Sequence, residues 1–386
     1  MAEPFETVRE LRARCPVAHS DAYDGFWVLT RYDDVNRAAH DPNLFTSTKG
    51  VTIPHHGFPI SLPPIELDPP LHRQFRSPLL ESFAPGKVAE REDEIRRQVT
   101  ELIDNFIGDG RADLARDLTV PLPAFVTSRF FGFPEEDLDR LHDWAVRILA
   151  TNGDLSVIGE TFQYLNGVYE DRRANPRDDI PSVVLTIEVE GRPISQMEFL
   201  CMMNMLFVAG LDTTANAGAY MFEELAQRPD VRRRLLDEPA LIPAAIEEFL
   251  RYVSPLPALA RTTTEDVPVG DSTIPAGERV LLHWMGANHD PAEFPDPDEF
   301  VIDRFPNRHF AFGAGVHRCL GSNLARLELR VVLEEVLRRM PDYRIAEATS
   351  VERYPGVTRG ISSLPVTFTP GPRLLQQAAA ARTEES

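Results

Sequence analysis

FGAGVHRCLG, residues 312–321, places one of the chain's three cysteines among three glycines, a histidine and an arginine. The thiol has three chemical readings: a small inert side chain, a nucleophile, or a metal ligand. A zinc site draws several Cys or His ligands at short spacing, whereas His317 is the only such neighbour and no CxxC occurs. The local signature of a papain-like nucleophile is absent. The glycines fit neither GxGxxG nor a Walker loop, so phosphate binding is not indicated. The stretch supplies a thiol on pliable backbone directly ahead of a helical segment, whose open N–H groups stabilise a thiolate. A thiolate that can meet a flat surface is what axial ligation of an iron porphyrin requires.

The remainder of the chain bounds this reading. The 386 residues carry a formal charge of −20, from 60 acidic against 40 basic residues. That excess argues against nucleic acid as a partner, which needs a concentrated basic face. Cys15, Cys201 and Cys319 are too far apart and too few for a disulfide framework, as expected of a reducing compartment. No run of 18 uncharged apolar residues occurs, and the N-terminus lacks the pattern of a secretory signal. Cys15 in a charged stretch and Cys201 in an apolar helix read as non-ligands.

Three helices organise the chain. SQMEFLCMMNMLFVAGLDTTANAGAYMFEELAQ, residues 195–227, opens with a Ser195/Glu198 capping box and ends before Pro229. At 1.5 Å per residue it is roughly 50 Å long, and its middle is apolar nearly all round, as in a buried strut. LIPAAIEEFLRYV (241–253) and NLARLELRVVLEEVLRRM (323–340) are the others. FWVLT (26–30) reads as a strand, and Asp34–His40 as helical. STIPAGERVLLHW reads as hairpin-like, with a turn at 275–277. The proline-dense stretches 49–70 and 291–306 read as irregular connections.

Residues 312–321 closely resemble the haem-binding signature of the cytochrome P450 family, with Phe312, Gly315, His317, Cys319 and Gly321 at the family's spacing. AGLDTT (209–214) in the long helix matches the family's oxygen-activation motif. Gly210 costs a helix interior about 1 kcal/mol relative to Ala, and a polar Asp212–Thr213 pair in an apolar run also costs unless it is used. Thr213 is placed to bond back to the Ala209 carbonyl and distort the helix, opening a notch where O2 sits. Glu248-x-x-Arg251, with Arg304 in EFVIDRF, resembles the family's structural Glu-Arg-Arg triad. The same Glu-x-x-Arg spacing recurs at Glu6/Arg9, Glu94/Arg97, Glu170/Arg173 and Glu335/Arg338, which read as solvated pairs.

The resemblance implies a mainly α protein with a small β-rich lobe, the cytochrome P450 fold, with haem between the long helix and the cysteine loop. It implies one domain over residues 1–370, followed by a loose tail at 371–386. Cys319 is then the ligand of a thiolate-ligated haem b, and Phe312 and Gly313 belong to its binding loop. His72, Arg76, Arg261 and His317 are implied as partners of the haem propionates, which need cationic or hydrogen-bonding groups. Asp212 is implied to route protons and Thr213 to hydrogen-bond the activated oxygen. The expected reaction is monooxygenation of a small apolar substrate, terpenoid or aromatic, by hydroxylation or O-demethylation. Peroxygenase, dehydratase and phenol-coupling chemistry, and a non-catalytic haem sensor, are the alternatives.

The expected pocket wall comprises Ile60, Leu62, Met205, Val208, Ala209, Leu256, Leu259 and Val357, with Lys49, His55 and His56 as polar anchors. No flavin or iron–sulfur motif is fused to the chain, so a ferredoxin and its reductase are the expected electron source. Arg73, Arg318 and Arg326 would offer the docking charge. A cytoplasmic monomer without a membrane anchor is expected.

Overall fold

Arg279–Leu282 alternates as a half-buried strand should: Val280 and Leu282 are fully buried while Arg279 and Leu281 keep some exposure. In the computed structural model, which describes residues 4–55, 60–151, 155–347, 349–354 and 356–375, this strand is the centre of a five-stranded sheet. It runs parallel to Phe26–Leu29, with Leu281 opposite Val28, and antiparallel to Leu259–Thr263, with Leu281 opposite Ala260. Val17–Ser20 pairs antiparallel with Phe26–Leu29 on one flank, and Phe45–Thr46 with Leu259–Thr263 on the other. The strand after the turn at 275–277 therefore joins this sheet, whereas Ser272–Ile274 pairs back onto Val267–Val269. The expected hairpin across that turn is not formed. Its first arm pairs with the immediately preceding strand, and its second with Phe26–Leu29 and Leu259–Thr263.

The chain groups into two compact units, each drawn from three separate stretches. The first holds residues 1–81, 162–206 and 247–322, and contains the five-stranded sheet. Its core brings Leu29, Val280 and Leu282 of the sheet together with Val35 and Ala39 of the helix Tyr32–His40. Phe310 and Ala314, which lead into the cysteine loop, pack in the same cluster. The loop is thus anchored on the sheet by its apolar N-terminal arm.

The second unit holds residues 82–161, 207–246 and 323–386. Its strands are short: Pro365–Thr367 lies between Arg344–Ile345 and Arg111–Asp113, and Glu352–Tyr354 pairs with Gly360–Ser363. Arg96, on the helix Glu92–Phe106, reaches Glu334 at 2.6 Å and Glu335 at 3.0 Å. Arg330 returns to Glu92 at 2.5 Å, closing an ion-pair network of two arginines and three glutamates shared between helices. The stretch expected to be a loose tail is held where it begins. The Leu374 and Leu375 N–H groups donate to Asp104, and Arg339 donates to the Pro372 carbonyl.

The long helix spans Gln196–Gln227, within a residue of the reading from its capping box. The box is formed: the Glu198 carboxylate accepts from the Ser195 N–H at 2.8 Å and hydroxyl at 2.7 Å, and the Glu198 N–H donates to Ser195 Oγ. Among the described residues no helix is long and apolar enough to cross a membrane.

Candidate active site

The cysteine loop is shaped by backbone. Gly313 and Gly315 both have positive φ, 64° and 66°. At Gly315 a β-carbon would lie 2.0 Å from the Ala39 carbonyl oxygen, so the loop rests on the C-terminal turn of Tyr32–His40 at a distance only glycine allows. The Cys319 N–H donates to the Phe312 carbonyl at 2.8 Å and closes the loop on itself. Cys319 is exposed, and the helix Ser322–Arg339 begins three residues on.

Around this loop the first unit gathers imidazoles and guanidiniums. His72 is on the short helix Leu71–Arg76, and its ring meets that of His317 edge to face at 4.6 Å. Both His72 nitrogens are buried with no hydrogen-bond partner, which is costly for any polar group left that way. His317 Nε2 lies 3.1 Å from Ser47 Oγ. Burial pushes His72 down to about 4 and His317 to about 2, the latter reinforced by the nearby Arg261 charge. Arg261, on Leu259–Thr263, is only 3% exposed, and burial lowers it to about 10 against the opposing charge of Asp68. Arg76 donates to the Arg318 carbonyl, within the loop itself. Asp68, which the sequence reading did not single out, is fixed by Thr46 and by the Ser47 N–H at 3.0 Å.

This donor set fits a thiolate-ligated haem. Two orphaned imidazole nitrogens and buried guanidiniums are suited to two carboxylates, and an exposed thiol stands beside them on a loop bared by glycine.

Glu248, Arg251 and Arg304 meet in the same unit. Arg251 is bidentate to Glu248, at 2.8 Å through both Nε and Nη2, with neither side chain exposed. Arg304 Nε adds 3.2 Å contacts to both carboxylate oxygens. Arg251 also caps the Asn288 and Pro297 carbonyls, each at 2.8 Å, so the triad ties the helix Ile242–Val253 to the irregular segment 291–306. Glu6/Arg9, by contrast, is an exposed pair at 4.0 Å.

In the second unit, Val208, Ala209, Asp212 and Thr213 share one face of the long helix, by their three- and four-residue spacing. Thr213 Oγ1 donates to the Ala209 carbonyl at 2.9 Å, as its position predicts. The helix nevertheless stays α-helical throughout 196–227, so the expected distortion does not occur. A carbonyl has two lone pairs and can take the hydroxyl without giving up its place in the ladder. At Gly210 a β-carbon would lie 2.8 Å from Thr127 Oγ1, so that glycine serves helix packing.

Asp212 is held by partners the sequence reading missed. Its carboxylate accepts from Tyr354 Oη at 2.7 Å, Asn216 Nδ2 at 2.6 Å and the Thr358 hydroxyl. Burial raises Asp212 above the ordinary carboxylate range, opposed by these three hydrogen bonds. Asn216, one turn on from Asp212, was visible in the spacing; Tyr354 and Thr358 carry no comparable signal.

The expected pocket residues are placed individually. Leu62, Met205, Val208, Leu256 and Leu259 are half-buried, Ala209 is exposed, and Ile60 and Val357 are exposed by 41% and 50%. His56 lies outside the described residues.

Comparison with known proteins agrees with the chemistry of the loop. The family model for cytochrome P450 matches residues 72–341. Cytochrome P450 130 of Mycobacterium tuberculosis is 37% identical over 90% of this chain and 91% of its own length. The steroid C26-monooxygenase of Mycolicibacterium smegmatis is 36% identical over 96% and 94%. Among solved structures, CYP109E1 from Bacillus megaterium in complex with testosterone superposes with a TM-score of 0.85 at 31% identity, covering 95% of this chain and 99% of that one. The chain belongs to the cytochrome P450 family. It is a monooxygenase of the bacterial type, built to carry a thiolate-ligated haem b.

Proposed function

We propose that Cys319 provides the thiolate to the haem iron, that Arg261, His72, Arg76 and His317 hold its propionates, and that the protein hydroxylates an apolar substrate of steroid type. The observation that carries this is the convergence on one loop of an exposed thiol, two buried unpartnered imidazole nitrogens and a buried arginine. The helix beginning at Ser322 favours the thiolate through its N-terminal N–H groups. When bound, the haem activates dioxygen so that one oxygen atom enters a C–H bond and the other leaves as water.

The chain's own groups supply position and protons. Asp212 holds a proton on its carboxylate at the pH of turnover more readily than a solvated carboxylate would, because it is buried. Thr213 already donates its hydroxyl proton to Ala209, so it meets the reacting oxygen as an acceptor. Such an acid–alcohol pair has no task in a peroxide-driven enzyme, which favours the reading with external electrons. The apolar side chains at Leu62, Met205, Val208, Leu256 and Leu259, with the exposed Ala209, Ile60 and Val357, are the proposed substrate contacts. Steroid activity in a relative 36% identical, and testosterone bound to a structural neighbour, move the substrate class from small terpenoids and aromatics toward steroids. A ferredoxin is the proposed electron donor, docking near the exposed Arg73 and Arg318.

The test is spectroscopic. The reduced protein under carbon monoxide should show the red-shifted Soret band of thiolate ligation, and Cys319→His should move it to the ordinary position. A red-shifted band in Cys319→His would remove Cys319 as ligand. Testosterone added to the ferric protein should raise the high-spin fraction and, with reductant, yield a hydroxylated product; absence of both would reject the steroid class.

A further inference from the structure

Asp212 is a half-buried acid whose hydrogen-bond partners are all neutral. Its Oδ1 takes the Tyr354 phenol and the Asn216 amide, and its Oδ2 takes the Thr358 hydroxyl. Among the described residues no cation pairs with it. The charged and titratable groups nearby face elsewhere: Arg353 pairs with Glu223, and the Arg359 guanidinium lies 4.8 Å over the Tyr220 ring. This selection has chemical content. An arginine only donates and an amide N–H does not hand its proton on, whereas a hydroxyl carries both a proton and lone pairs and can pass a proton along.

The position of Tyr354 is built rather than incidental. In the pairing of Glu352–Tyr354 with Gly360–Ser363, Tyr354 stands opposite Gly360. A β-carbon at 360 would fall 2.0, 2.2 and 2.3 Å from three atoms of the Tyr354 ring. The ring therefore lies directly on the glycine, with its hydroxyl aimed at the long helix. Gly360 is not among the glycines of positive φ, so its backbone would accept alanine and only the ring forbids it. The next residue fixes the strand to the same helix: the Ile361 N–H donates to Asn216 Oδ1 at 3.1 Å. Asn216 Nδ2 is also 3.0 Å from the Tyr354 oxygen. Tyr354 is half-buried and Gly356 and Val357 beyond it are exposed, so the phenol stands between solvent and the acid.

We propose that Tyr354 is the relay through which solvent protons reach Asp212, that Thr358 holds the carboxylate for it, and that Gly360 is the seat that keeps Tyr354 in place. This rests on the reading of Asp212 as the proton carrier. Each transfer balances without a redox step. The Tyr354 Oη–H bond breaks as a new O–H bond forms on Asp212 Oδ1, and the phenol oxygen takes a proton from water on its outer side. Thr358, itself buried, holds Oδ2 by its hydroxyl and fixes the carboxylate for that transfer. Tyr354, Thr358 and Gly360 are positioning and relay residues; Asp212 is the group they serve.

The experiment uses the holoenzyme with testosterone, a ferredoxin and its reductase, and follows oxygen uptake, which consumes protons whether or not product forms. Tyr354→Phe should slow uptake about tenfold and enlarge the solvent deuterium isotope effect, within the range of positioned proton transfer. Gly360→Ala should do the same by displacing the ring, and the double variant should be no slower than either single one. Thr358→Val should have a smaller effect in the same direction. All should keep the wild-type carbon monoxide spectrum. A second readout needs no turnover: the infrared carboxyl band that Asp212→Asn abolishes should shift in Tyr354→Phe and in Gly360→Ala. If Asp212→Asn slows uptake while Tyr354→Phe and Gly360→Ala keep the wild-type rate, isotope effect and infrared band, the relay is wrong and the carrier stands. If Asp212→Asn is itself without effect, the carrier reading falls and the relay falls with it.

Discussion

Glu248 carries a carboxylate with no exposure to water, held by two arginines and by the Asn307 amide at 3.1 Å. Removing Arg304 leaves Arg251 to balance the charge but takes hydrogen bonds from a carboxylate in a dry site. We expect Arg304→Met to cost about 2 kcal/mol of stability, read as a lowered urea midpoint and faster haem loss. An unchanged midpoint would show that Arg251, Asn307 and the Val301 N–H satisfy the carboxylate without it. At Thr213 the issue is coupling. Thr213→Ala should keep haem and substrate binding but divert reductant to hydrogen peroxide, and unchanged coupling would defeat the assignment. Residue-scale legibility followed distance along the chain. The pattern that nominates Cys319 as a ligand lies within ten residues, because a thiol ahead of a helix is local, and the reading becomes firm only with Asp212–Thr213 on the distant long helix. His72, Arg261 and His317 emerged only through resemblance to a family. Tyr354 and Thr358 stayed invisible, being 142 and 146 residues from Asp212 with neither charge nor period to link them.

Elements were legible where their signals were local. The long helix came within a residue of its observed start because a capping box marks it, whereas the turn at 275–277 misled, since the strand before it closes a tighter hairpin with Val267–Val269 and the strand after it joins the larger sheet. The cap has a pH signature. Arg192, bidentate to Glu198 at 2.7 and 2.8 Å, with Ser195 adding to it, holds Glu198 down to about 2. In the unfolded chain the same carboxyl titrates near ~4.3. Its stabilisation is therefore complete above about 4.3 and is lost as pH falls toward 2. Glu198→Gln keeps an acceptor for the Ser195 N–H but removes the charge. It should cost about 1 kcal/mol at pH 7 and flatten that part of the acid limb, as thermal unfolding against pH would show. A limb as steep as wild type would place the acid sensitivity elsewhere.

Over the whole molecule, a net charge of −20 sets a problem for any acidic electron donor. Arg73 and Arg318 are exposed, and Arg76 ties their two segments together through the Arg318 carbonyl. If the proposed ferredoxin docks at that face, its charge steers encounter more than it adds affinity, and the reduction rate should fall with ionic strength. Arg73→Ala with Arg318→Ala should lower it about tenfold at low salt and erase the salt dependence. A wild-type rate in that variant, measured by stopped flow, would move docking to another face.

The seating of Gly315 on the Ala39 carbonyl reaches furthest, because there the loop meets main chain at a distance only glycine allows. Gly315→Ala should yield protein with little haem, seen as a low Soret-to-280 nm ratio, while changes at Val316 or Leu320 leave that ratio intact. A scaffold arranged this way separates inheritance of the cofactor from inheritance of specificity. On the proposed assignments, drift or laboratory selection can rework Ile60, Val208 or Val357 while the backbone seat of the cysteine loop is kept.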